Sequence, residues 1–250
     1  SGGAIGSTGD IKVVRSQVDG NTTDGDGGAL YADEDGDVTA IDSSVSGNTA
    51  DGPGGAIFTL DGDVTVVRSV LNGNRADDRG GAISGEADVV VLNSTLARNV
   101  AEAHSSGGIW ARGDMYVTGS TVSNNRAEGQ GGGILGAGDV SIAYSTIADN
   151  TAPGAVNVGA GARLRVFGSV IGPPGQGDNS GEANCRASTI VSSGYSVSTD
   201  NSCGLRATGD TQQHLLPLLG GLLANGGLGE SRLPLTGSLL SPRPPLARSP

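Results

Sequence analysis

The stretch Gly80-Gly81-Ala82-Ile83-Ser84-Gly85-Glu86-Ala87-Asp88-Val89-Val90-Val91-Leu92-Asn93-Ser94-Thr95-Leu96-Ala97-Arg98-Asn99 is one unit of a repeat. Its opening recurs as Gly2-Gly3-Ala4-Ile5, Gly27-Gly28-Ala29-Leu30, Gly54-Gly55-Ala56-Ile57, Ser106-Gly107-Gly108-Ile109 and Gly131-Gly132-Gly133-Ile134. Successive starts lie 25, 27, 26, 26 and 25 residues apart. A fixed period in that range means stacked equivalent units.

The units align on an aspartate: Asp10, Asp37, Asp63, Asp88, Asp114 and Asp139. The first and third residues after it are apolar, for example Val64 and Val66, or Met115 and Val117. The residue between them is mostly polar: Lys12, Thr39, Thr65, Val90, Tyr116, Ser141. That alternation has period two and reads as a short strand with one face inward. Six residues after the Asp stands a serine in every unit, and eleven after it an asparagine: Asn21, Asn48, Asn74, Asn99, Asn125, Asn150. With 45 glycines in 250 residues and no helical period, helices are excluded.

These features predict an all-β chain: a single-stranded parallel β-helix of about seven coils over residues 1–172, then an irregular C-terminal capping segment over 173–250. Right-handed winding is expected, because parallel crossovers prefer that hand. The inward columns suit β-branched side chains. Stacked Asn amides can hydrogen-bond along the axis as a ladder. The Gly-Gly-Ala column marks a turn where a Cβ would collide or φ must be positive. Val158, Arg163, Leu164, Val166, Ser169 and Ile171 form a seventh, degenerate coil, and the Asn column is expected to be lost in Gly172-Pro173-Pro174-Gly175.

Net charge is −11, and Lys12 is the single lysine. Without a basic stripe, nucleic acid is an unsuitable partner. The acidity points to solubility and to divalent cations. The longest apolar run, Leu215 to Ala224, is too short to span a membrane. No secretion signal is visible, and the chain opens inside a repeat, as a mature product or a fragment would. Cys185 and Cys203 lie 18 apart, outside the repeats, with no zinc-ligand spacing. Two free thiols are one reading. The expected one is a disulfide, which implies an oxidising, extracellular setting.

The repeat resembles those of bacterial right-handed β-helix surface proteins and, more loosely, the passenger repeats of polymorphic outer-membrane proteins. Asn184-Cys185, Ser192-Ser193-Gly194-Tyr195, Asn201-Ser202-Cys203-Gly204-Leu205, Gly209-Asp210, Leu216-Pro217-Leu218-Leu219-Gly220 and Leu223-Ala224-Asn225-Gly226-Gly227 are similar in order to the tail of choice-of-anchor Q β-helix proteins. The resemblance implies secretion or display on a bacterial surface, with no activity assigned to most members. The Cys-rich opening usual in such proteins is absent, and Gly237 to Pro245 lacks the closing Asp.

Several motifs carry chemistry on paper. Leu233-Pro234-Leu235-Thr236-Gly237 spells a sortase signal, yet no hydrophobic span and basic tail follow it. Arg112-Gly113-Asp114 spells an integrin-binding tripeptide, but its Gly-Asp is this coil's copy of the pair at 9–10, 36–37, 62–63 and 138–139. The stacked Asp column would be satisfied by turn amides. Its functional reading is calcium bridging where Asp33, Glu34, Asp35, Asp37, Asp61 and Asp63 crowd together.

The column after the Ile should face outward: Gly6, Tyr31, Phe58, Ser84, Trp110, Leu135. Tyr31, Phe58 and Trp110, with Tyr116 on the next strand, are candidate binding residues, since exposed aromatics stack on sugars or anchor a partner. Their plain reading is packing under the turns. Asp61 and Glu86 are the acids that could neighbour them for catalysis. The sequence thus predicts a surface-displayed structural or adhesive scaffold that meets a surface glycan or protein and self-associates end to end. The alternative is a polysaccharide lyase, glycoside hydrolase or glycan-binding module on the same scaffold.

Overall fold

The computed structural model describes residues 2–153, 157–173, 175 and 182–212, together with the backbone of Leu223–Ala224 and Glu230–Ser231. The described residues contain strands and turns and no α-helix. The chain winds into a parallel β-helix of about seven turns. Each full coil places its short strands in separate stacks.

The first stack begins Ile5–Ser7, Leu30–Ala32, Ile57–Thr59 and Ile83–Gly85, and continues to Ile109–Ala111 and Ile134–Gly136. The second holds the Asp-anchored strands, from Ile11–Val14 to Val140–Ala143. The long strand Val158–Phe167 closes both, pairing with Ile134–Gly136 through its start and with Val140–Ala143 through its end. A third stack runs from Ser44–Ser46 to Val170–Ile171, and two-residue strands such as Arg75–Ala76 make a fourth.

The inward columns are those the alternation gave. Ile57, Ile83, Ile109 and Ile134 of the first stack are fully buried. So are Val64, Val66, Val89, Val91, Met115 and Val117 of the second, and Leu71, Leu96, Val122 and Ile147 of the third. Each packs on its counterpart one coil away, so one continuous core runs along the axis.

Two polar ladders fix the corners. At the serine column the preceding residue adopts positive φ, as at Asp42 (51°), Arg68 (45°) and Asn93 (50°). The chain turns sharply there and the strand ladder is interrupted. Each serine restores it. Ser69 Oγ accepts the amide of Ser43 at 3.0 Å and donates to the Val67 carbonyl at 2.8 Å.

The asparagines do the same inside the next corner. Asn74 Nδ2 donates to Asn99 Oδ1 at 2.9 Å and to the Val45 carbonyl at 2.9 Å, and the pattern recurs from Asn48 to Asn150.

The glycine pair needs both of its expected reasons, one for each residue. Gly54 has φ +73°, and a Cβ on Gly55 would lie 2.2 Å from the Gly81 carbonyl oxygen.

One expectation is corrected. The Asn ladder is not lost after Asn150. Asn150 Nδ2 donates to Asn157 Oδ1 at 2.9 Å, Asn157 to Asn184 at 2.7 Å, and Asn184 to Thr199 Oγ1 at 2.7 Å. Asn157 and Asn184 come from the small-residue column before the first stack, where earlier coils carry Ala or Gly. The parallel pairing also runs on beyond residue 172. Cys185–Ser192 lies on Val158–Phe167, Val197–Ser198 on Val170–Ile171, and Thr211–Gln212 on Val197–Ser198.

Cys185 takes the place of the Ile column in this added rung and is disulfide-bonded to Cys203. Both sulfurs and Leu205 are buried against the core, so the bridge ties the segment after the rung to the open end of the apolar stack. The apolar run from Leu215 within the expected cap and the Leu-Pro-Leu-Thr-Gly motif lie outside the described residues, apart from the Leu223–Ala224 backbone. That short strand pairs antiparallel with Glu230–Ser231.

Candidate functional site

The outward column of the first stack stays in register from coil to coil. It reads Gly6, Tyr31, Phe58, Ser84, Trp110, Leu135, Gly159 and Arg186. It points away from the core, but it is not an open face throughout. Phe58 is only 4% exposed and Ser84 is fully buried, which corrects the expectation of solvent exposure. The cause is the Gly-Gly turn that precedes each Ile. It folds back over the column, so that a Cβ on Gly54 would come within 3.0 Å of the Phe58 Cβ.

The four aromatics do not form one surface. Tyr31 and Phe58 stack on each other, with centroids 5.6 Å apart and planes at 12°. Burial, helped by Asp33, pushes the Tyr31 phenol above its ordinary pKa. Trp110 is two coils away from Phe58, separated by Ser84. Tyr116 is exposed on the second stack, between Val90 and Ser141.

The notch at Ser84 is filled from the side. The Arg79 guanidinium lies 4.1 Å from the Trp110 ring centroid, a cation–π contact. Arg79 also pairs with Glu86, which is largely buried, and Arg112 lies 3.7 Å from the other Glu86 oxygen. Glu86 is therefore held between two cations. Asp61 is exposed, and its amide donates to the Glu34 carbonyl at 3.2 Å.

Beyond Leu135, the next residue after Trp110 along it, the column becomes small. Gly159 has no side chain, and neighbouring positions are Gly136, Ala137, Ala160 and Gly161. The result is an open groove of about 420 Å³, walled by Trp110 and Leu135 at one end and by Arg186 and Ser188 at the other. Its size is that of a small-ligand site. Arg186 is exposed and makes no ion pair among the described residues.

The Asp column is a backbone-binding ladder. Asp37 Oδ1 accepts the Asp63 amide at 2.8 Å, Asp63 that of Asp88 at 3.0 Å, and Asp88 that of Asp114 at 2.7 Å. Asp114 of the Arg-Gly-Asp tripeptide belongs to this ladder and accepts the Asp139 amide at 2.9 Å. Among the described residues, no three acidic or histidine side chains converge as a metal site would require.

A second aromatic patch went unnoticed in the sequence. Tyr144 and Tyr195 are 64% and 66% exposed, the most exposed large hydrophobics described. Both occupy the corner position before the serine column, at φ 52° and 56°. Phe167 lies between them, edge-on to Tyr144 at 5.1 Å and to Tyr195 at 6.4 Å. Reading the residue before each serine as a column of its own would have found them.

One half-buried acid gives a pH test. Burial raises the pKa of Asp26, with Asp78 adding to it and Arg79 opposing it. A raised carboxyl stabilises the fold when protonated, and that contribution is lost as pH rises through its folded pKa. Asp26→Asn should therefore raise the melting midpoint at neutral pH. The gap from wild type should close below the ordinary carboxylate range. A gap that persists in acid would assign the effect to something other than charge burial.

A family model described as the Chlamydia polymorphic membrane protein repeat matches residues 16–33, 42–60 and 119–137. No curated protein and no solved structure matches the chain. The matched segments fall inside the coils and together with the fold fit a polymorphic outer-membrane-protein-like β-helix. Repeats of this kind point to the outer membrane or the cell surface. Among the described residues, no helix is long and apolar enough to cross a membrane.

Proposed function

We propose that this protein is a surface-displayed adhesive scaffold that binds surface glycans on the lateral face of its first stack. The observation that carries the reading is the groove beside Trp110: an aromatic wall and a guanidinium without an ion pair among the described residues, over a floor of glycine and alanine. The strands around it are held in register on both sides, so the site is rigid before a ligand arrives. Rigidity of this kind lowers the ordering cost of binding. A lyase or hydrolase would need a free acid or base aimed at the ligand. Glu86 is engaged by Arg79 and Arg112, and Asp139 by Arg165 at 2.8 Å. Calcium is not required by this reading.

The test is retention of bacterial and host-cell surface polysaccharides on the immobilised protein, with reducing ends assayed in parallel. Wild type should retain at least one glycan without releasing new ends. Trp110→Ala should weaken retention about tenfold, the loss of one aromatic stacking contact. New reducing ends would replace adhesion with catalysis, and retention unchanged by Trp110→Ala would move the site elsewhere.

A further inference from the structure

The groove has two unlike ends, and they select different parts of one ligand. Trp110 lies three rungs from Arg186 along the same outward column, about 14 Å at the spacing of parallel strands. Arg79 reaches over the Trp110 ring from the fourth coil, whereas the groove opens toward the sixth and seventh. Trp110 thus meets Arg79 on one side and lines the groove on the other. Leu135 follows Trp110 as an apolar shoulder, and between Leu135 and Arg186 the column holds only Gly159, which leaves room for a sugar.

Charge is distributed to match. Residues 1–150 hold 21 acidic and 8 basic side chains, a net of −13, whereas the described residues from 151 to 212 hold 3 and 4, a net of +1. The arginines nearest the groove on its own strand, Arg163 and Arg165, are neutralised by Asp139 at 3.8 and 2.8 Å. Arg186 is not. An exposed guanidinium with no ion pair among the described residues, at the less acidic end of an acidic rod, is suited to a carboxylate, which it can hold through two parallel hydrogen bonds. The earlier coils repel the same anion, so binding is confined to this end of the column.

Resting on the adhesive reading above, we propose that the groove is a subsite for an acidic oligosaccharide: one sugar ring packs its C–H face on Trp110, and a uronate carboxylate further along the chain is held by Arg186. At the rim Gln130 supplies an amide, and Ser188 Oγ, which donates to the Gly161 carbonyl at 2.8 Å, can accept from a sugar hydroxyl. The site distinguishes acidic from neutral chains by one contact and recognises the sugar ring by another.

The two contacts can be separated by calorimetric titration of the whole chain. The probes are a short glucuronate oligomer and the glucose oligomer made by reducing its carboxyls. Arg186→Gln, at an exposed unpaired position, should leave the melting midpoint unchanged. It should weaken the glucuronate oligomer tenfold or more and leave the glucose oligomer unchanged. Trp110→Ala should weaken both by a similar factor. Added salt should weaken only the acidic probe.

Equal affinity of wild type for the two probes, or a glucuronate affinity that Arg186→Gln does not alter, would overturn the acidic-sugar assignment. It would leave the adhesive reading in place. No binding of either probe would also overturn it, and the retention assay would then decide the adhesive reading separately.

Discussion

Val117→Asp should abolish folding, whereas Tyr116→Asp, one residue earlier on the same strand, should be tolerated. Val117 is fully buried and stacks between Val91 and Ile142. Every neighbour on the core side is apolar, and no cation can reach a carboxylate placed there. A buried unpaired charge costs several kcal/mol even when it escapes by protonation, against about 5–15 kcal/mol of stability for a whole domain. Tyr116 is 43% exposed, so an Asp there stays in water and loses only strand propensity, about 1 kcal/mol. Circular dichroism melts of the pair read the outcome. Two equal melting curves would place the inward face of this strand wrongly.

Asn99→Ala should be the next most damaging change. Asn99 Oδ1 accepts from the Asn74 amide and from Asn74 Nδ2, both at 2.9 Å. Its Nδ2 donates to Asn125 Oδ1 at 2.9 Å and to the Leu71 carbonyl at 3.0 Å. Truncation removes four hydrogen bonds and leaves the Asn74 amide without a partner in a dry corner, while the Leu71 carbonyl stays within the ladder to Thr95–Ala97. At about 1–3 kcal/mol for the orphaned amide and about 1 kcal/mol for each of the other three bonds, the loss is on the order of 4–6 kcal/mol. Asn93→Gly is the control. Asn93 is exposed at φ 50°, where glycine is at least as comfortable, so denaturant midpoints should barely move. If Asn99→Ala were as mild as Asn93→Gly, the ladder would be ornamental.

The core was legible because the repeat supplies its own alignment. Val64, Val89, Met115 and Val140 line up without any relative to compare, and a column apolar in every copy must be inside. The Asn ladder was legible for the same reason. The serine column was visible but unexplained, since its role depends on the positive φ of the residue before it, which no residue type announces. Arg68, Asn93 and Tyr144 share that geometry and nothing else.

The outward column was read with the right register and the wrong environment. Alternation says which side of a strand a residue faces. It does not say what lies over that side. The turn covering Phe58 is the repeat's own Gly-Gly opening, whose residue types announce a turn but not the side over which it folds. The ladder's continuation through Asn157 and Asn184 was hidden because those residues belong to a different column. Only the three-dimensional corner brings them onto the line of Asn150.

The Asn ladder also gives the rod a polarity. In every rung the Nδ2 donor belongs to the earlier coil and the Oδ1 acceptor to the later one, from Asn21 and Asn48 onward. The amide dipoles therefore all point the same way and add as a vector along the axis. Any further coil, from this chain or from a second copy, can extend the series only if it arrives in the same orientation. A coil laid against Asn21 must bring a donor, because an acceptor meets it there. Two rods joined by their first coils would oppose carbonyl to carbonyl. Any growth along the axis would thus be one-directional, head to tail, by the same rule that makes each internal step self-consistent.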